Sequence, residues 1–112
     1  MSRSAEDRFA DILAAIERTL AHRRYLDADD RALSSMAYDA VLRNLAVIGE
    51  AVRALPDEAK SDPTVPWAAI AGLRNVVVHE YFRVDPAMIE DIVDHELVPL
   101  AELIRRRRGT QE

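Results

Sequence analysis

Within nine residues, Arg74-Asn75-Val76-Val77-Val78-His79-Glu80-Tyr81-Phe82 gathers a permanent cation, an amide, an imidazole and a phenol around three valines. Phosphodiester cleavage in RNA needs such a set. A histidine near neutral pKa takes the proton from a 2′-hydroxyl or gives one to the leaving oxygen. An arginine fork binds the phosphate and stabilises the charge of the transition state. Neither role calls for a metal or a cofactor. The alternative is bland: a lone Arg and a lone His near a helix end often form only a surface ion pair and a cap.

Helix geometry constrains how this stretch works. At about 100° per residue, Arg74 and Tyr81 share one face, whereas Arg74 and His79 stand about 140° apart. One rigid helix does not aim both at a single small group. Either the helix unwinds near His79, or a second copy across a two-fold axis completes the site. Asn75 lies one turn before His79 and is placed to orient its ring.

The rest of the chain reads as the scaffold for that stretch. A length of 112 residues points to one domain, 1–112, with an Arg-rich tail from about residue 105. Glycine is scarce and no strand alternation appears, which favours an all-α fold. Ser4 and Asp7 form a capping signal before a helix expected from about Ala5 to Arg24, with Phe9, Ile12, Leu13, Ile16 and Leu20 on its apolar face. A second helix is expected from about Arg31 to Ala54, its apolar face running from Leu33 and Met36 to Val52 and Leu55. Gly49 sits inside it, where glycine is costly unless another helix approaches closely. Arg43 and Glu50, two turns apart, are positioned to face one neighbour, as structural or interface residues.

Asp57-Glu58-Ala59-Lys60 allows one short helical turn between prolines. Pro66-Trp67 opens a third long helix that carries Arg74–Tyr81, with Trp67, Ile70, Leu73, Val77 and Val78 on its buried side. Asp85 and Pro86 start a fourth helix, which Pro99 should kink. The sum is an up-down four-helix bundle with room for one short extra helix.

Composition narrows the function classes. Cysteine is absent, which excludes disulfides and thiolate metal sites and fits a cytoplasmic protein. No apolar run approaches bilayer length. The net charge of −5 argues against a general nucleic-acid coat. RNA would have to be steered to a local patch, and the visible basic clusters are Arg23-Arg24 and Arg105–Arg108. His22, His79 and His95 show no mutual ligand spacing, so a metal-binding bundle is a weak reading. His95, between Asp94 and Glu96, is expected to be exposed or ion-paired.

Several motifs together resemble one family. Arg74, four residues, His79, one residue and Tyr81 match the Arg-x4-His-x-Tyr motif of HepT-type toxins of the HEPN superfamily, small all-α ribonucleases. Arg43-Asn44-Leu45-Ala46-Val47-Ile48-Gly49-Glu50-Ala51 is similar to that family's second-helix signature. Pro66-Trp67 leading to Leu73-Arg74-Asn75, and Leu97-Val98-Pro99-Leu100, resemble its segments before the catalytic helix and in the final helix. The likeness runs over essentially the whole chain. It implies a HEPN-like bundle, a homodimer in which Arg and His of both subunits face one cleft, and an RNA substrate. It also implies a partner, a minimal nucleotidyltransferase antitoxin of the MntA type, that transfers AMP from ATP to the motif tyrosine, here Tyr81. A non-catalytic HEPN module that only binds such a nucleotidyltransferase is the competing expectation.

Overall fold

Capping side chains set the helix starts in the computed structural model, which describes residues 4–80 and 85–111. Helix α1 spans Ala5–Arg23, and the Asp7 amide donates to Ser4 Oγ at 3.1 Å. Helix α2 spans Arg31–Arg53, and Asp30 Oδ1 accepts from the amides of Ala32 and Leu33. A 3-10 turn over Asp57–Lys60 follows, and no side chain caps it. Helices α3 (Trp67–Ala71) and α4 (Leu73–Glu80) come next. Helix α5 (Pro86–Ile92) starts at Asp85, whose carboxylate accepts from the Met88 amide. A π-helical turn, Val93–Leu97, joins α5 to α6 (Val98–Gln111). No strand occurs among the described residues.

These elements make four rods: α1, α2, α3–α4 and α5–α6. The fold is the expected all-α bundle. The short link between α1 and α2 folds them into an antiparallel pair. Helices α3 and α4 lie on α2, and α6 returns along α1. Phe9, Ile12 and Ile16 meet Leu45, Ile48 and Val52, with Ile70, Leu73, Leu97, Leu100 and Ile104 closing the same core. Burying each such side chain contributes about 1.5–3 kcal/mol.

The third rod is not one long helix. It breaks at Gly72, whose amide donates back to Ala68 O and Ala69 O, while Asn75 N restarts the ladder on Gly72 O at 3.0 Å. The break falls at the weakest helix former in the run. Past it, α4 keeps Arg74 to His79 in one helix, so no unwinding separates the two, and the described part of the helix ends at Glu80. Tyr81, Phe82, Arg83 and Val84 lie outside the described residues.

Two further expectations are corrected. Val78, placed on the buried side by sequence, is 58% exposed: Leu73 is buried as expected, and Val78, five residues on, stands about 140° around α4 from it. Leu33 and Met36 also lie off the core, on the outward arc of the first turns of α2. The disturbance expected from Pro99 is taken up as the π-turn, where the Val98 amide donates to Val93 O. Proline has no N–H to offer one turn back, so a lengthened ladder ahead of it relieves the missing bond.

Candidate active site

Helix α4 presents a polar arc to solvent. Arg74, Val78, Asn75 and His79 follow one another around its exposed side, within the roughly 140° that separates Arg74 from His79. All four are exposed, and Leu73 on the opposite side is buried. An apolar valine therefore stands in the middle of the polar set.

Helix α2 fixes the arginine end of that arc. Arg74 Nη1 donates to Glu50 Oε1 at 2.6 Å. The hydrogen bond and the charge of Arg74 hold the Glu50 carboxyl below its ordinary range, with Arg53 adding to the effect. Gly49, beside Glu50, explains how the two helices come this close. A Cβ there would stand 3.1 Å from Ile70 O and 3.3 Å from both Leu73 Cβ and Arg74 N. The close approach anticipated from a glycine inside the α2 pattern is therefore real.

Two expected contacts are missing. No hydrogen bond joins Asn75 to His79 among the described residues, so the amide does not orient the imidazole here. Arg43 and Glu50 do not share a polar partner either. Glu50 meets Arg74, whereas Arg43 faces a neighbouring cleft beside Arg18, Ala40 and Asn44.

Sequence reasoning passed over Asn44. It is 8% exposed, accepts from Arg18 Nε at 3.1 Å and donates to Ala40 O at 2.9 Å, tying α1 to α2. Only a polar residue on an otherwise apolar face hinted at it. The basic clusters also behave differently from a free patch. Arg107 is held by Glu6 at 2.7 Å and lies over the Phe9 ring, and Arg23 makes a two-point pair with Asp94. His95 is exposed and sits 3.4 Å from Asp91, as expected for a surface histidine. Among the described residues no helix is long and apolar enough to cross a membrane.

Comparison with known proteins places this arrangement. The family model described as "Ribonuclease HepT-like" matches residues 12–107, which includes Arg43, Glu50, Arg74 and His79. The chain belongs to the HepT-like ribonuclease family. It is 33% identical over 101 residues to the "Probable ribonuclease HepT" of Thermococcus cleftensis, covering 89% of this chain and 92% of that one. It is 32% identical over 88 residues to "Putative RNase MJ1380" of Methanocaldococcus jannaschii, covering 78% and 81%. "Putative RNase MJ0127" of the same organism is 38% identical over 78 residues, covering 65% of this chain and 64% of that protein. No solved structure matches. For a HepT-like chain, the α4 arc is the stretch that holds the motif arginine and histidine, and the Gly49–Glu50 pair is what supports it from α2.

Proposed function

We propose that this HepT-like protein is a metal-independent endoribonuclease, the toxin of a type VII toxin–antitoxin pair. Arg74 and His79 cut RNA in a cleft between two copies, and a minimal nucleotidyltransferase antitoxin silences it by adenylylating Tyr81. Membership of the ribonuclease family is the observation that carries the reading. The exposed arc of α4 supports it.

The chemistry follows from residue types. The RNA 2′-oxygen attacks the adjacent phosphorus as its proton passes to the His79 imidazole. Arg74 holds the non-bridging oxygens and offsets their growing charge. The bond to the 5′-oxygen breaks, and that oxygen takes a proton from the imidazolium of the second copy. The products are a 2′,3′-cyclic phosphate and a 5′-hydroxyl. A two-copy cleft supplies both protonic roles and answers the angular split between Arg74 and His79. Val78, apolar and exposed between them, is the kind of residue that contact with a second copy would cover.

Incubation of the purified protein with RNA in chelator, followed by end-group analysis, tests this. Cleavage with cyclic phosphate ends is expected. His79→Ala should lower it by about 10²–10⁴-fold while the protein stays folded, since the residue is exposed. Wild-type cleavage by a folded His79→Ala variant would remove His79 from the mechanism. A folded wild type that never cuts RNA would favour the non-catalytic module.

A further inference from the structure

Two clefts open beside α2 on its Arg74 side, and Val47 forms part of the wall of each. The larger, about 600 Å³, lies between Arg8 of α1 and Arg74 of α4 over a floor of Ala46, Ala51 and Ala54. The smaller, about 380 Å³, is flanked by Arg18 and Arg43. Because Val47 belongs to both, they run on from one another along the α1–α2 pair.

Charge distinguishes this stretch from the rest of the surface. The chain carries a net −5, yet four arginines line these two clefts against one acid, Glu50. Asp11 also stands on this flank of α1 by helical spacing. Arg8 and Arg43 make no hydrogen bond or ion pair among the described residues. Among the described residues, Arg18 commits only Nε, to Asn44, and Arg74 only Nη1, to Glu50. Arginines left unpaired in an acid-rich protein are available to an anionic ligand. Arg8 and Arg18 stand ten residues apart on α1, about 15 Å along its axis, so the anion must be extended.

We propose that the two clefts form one track for single-stranded RNA. Arg8, Arg18 and Arg43 bind successive phosphates, and Arg74 at the end receives the strand at the cleavage site. The inference rests on the ribonuclease reading above. Guanidinium planes and the small apolar floor accept any base face, so the track positions a strand without reading its sequence. It also shows how a protein of net negative charge gathers RNA: steering is local, along the α1–α2 pair, and not by the C-terminal arginine run, where Arg107 is already engaged.

A fluorescein-labelled, 2′-O-methylated single-stranded oligoribonucleotide is the probe, because methylation removes the nucleophile and separates binding from cutting. Anisotropy titrations at several salt concentrations compare wild type with the double variant Arg8→Ala, Arg43→Ala. The control double variant, Arg24→Ala, Arg105→Ala, has the same change in charge elsewhere. The track variant should bind about tenfold more weakly, and its slope of log affinity against log salt should shrink by about 0.7 for each arginine removed. The control should retain most of the wild-type affinity and slope. Equal losses in both variants, wild-type binding by the track variant, or no binding by the wild type would each overturn the proposal. So would a change of oligomeric state in the track variant by light scattering, which would make the clefts an interface between copies. Cleavage of unmethylated RNA by the wild type is scored separately. Cleavage with no loss of affinity in the track variant sinks the track alone, and binding through the track without any cleavage sinks the ribonuclease reading alone.

Discussion

Arg74 and Glu50 are 24 residues apart in sequence and 2.6 Å apart in space, one on α4 and one on α2. Both are well exposed, so the pair contributes little to stability. It holds one nitrogen of the guanidinium, and on the proposed function the others bind a phosphate. Glu50→Ala should therefore leave the melting temperature nearly unchanged and lower turnover about tenfold, the scale of losing one well-placed interaction. RNA affinity should stay level or rise, because a negative charge has left the cleft. Steady-state kinetics beside a thermal melt measure all three. Parallel losses of affinity and turnover would mean that Glu50 does not act through Arg74.

The same pair has a defined pH response. Arg74 lowers the Glu50 carboxyl from its ordinary 4.5. An acid with a lowered folded pKa contributes its stability above the unfolded value and loses it as pH falls through the lowered one. The Arg74–Glu50 contact should persist through neutral and mildly acidic solution and open only at strongly acid pH. Carboxyl-selective NMR titration of Glu50 checks this, with Arg74→Ala restoring the ordinary midpoint.

Gly49→Ala opposes two effects of known size. Alanine improves helix propensity by about 1 kcal/mol. The added Cβ meets backbone at Ile70 O and Arg74 N, atoms that shift only if the α3–α4 junction shifts. Overpacking of this kind costs about 1–3 kcal/mol, so the variant should be destabilised despite the better helix former. Activity should fall as well, since Arg74 moves with the junction. A melt showing Gly49→Ala more stable than wild type would contradict the close packing.

What was legible in the sequence follows from how far each signal reaches. Ser4 and Asp85 act on amides three residues away, so their caps could be read locally. Gly49 was legible because a costly residue in a strong pattern demands a neighbour. Glu50 was only half legible: its face was visible, but its partner depends on how α3–α4 sits against α2, and no periodicity encodes that. Val78 was misplaced because an apolar run was read as one face, although five residues carry it about 140° around the helix from Leu73. The arginines of the proposed α1–α2 track are scattered singly over three helices, so no local run marks them as Arg105–Arg108 marks the C-terminal cluster.

Glu96 offers a stability test away from the site. One of its oxygens, Oε2, is buried with no hydrogen-bond partner among the described residues, and burial raises its pKa above 4.5. For an acid raised on folding, the folded state binds the proton more tightly, so stability falls as pH climbs through that window. Glu96→Gln should melt a few degrees higher than wild type at neutral pH. The gap should close in acid, where Glu96 is protonated. A variant equally stable or weaker at neutral pH would show that the carboxylate finds compensation in solution.

Tyr81→Phe separates regulation from catalysis. In adenylylation the tyrosine oxygen attacks the α-phosphorus of ATP, pyrophosphate leaves, and the phenolic proton is lost. On the proposed function, AMP on Tyr81, seven residues after Arg74 in sequence, would add negative charge and bulk that compete with RNA phosphate for the guanidinium. Phenylalanine keeps the ring and removes the oxygen. If the tyrosine serves only as acceptor, Tyr81→Phe should cut RNA at the wild-type rate and stay active after incubation with the nucleotidyltransferase and ATP. If the hydroxyl also contacts the scissile phosphate, activity should fall even without the partner. Intact-mass spectrometry decides the modification: wild type should gain one AMP and Tyr81→Phe none. The same gain on both proteins would move the acceptor to another residue, and no gain on either would remove this mode of control.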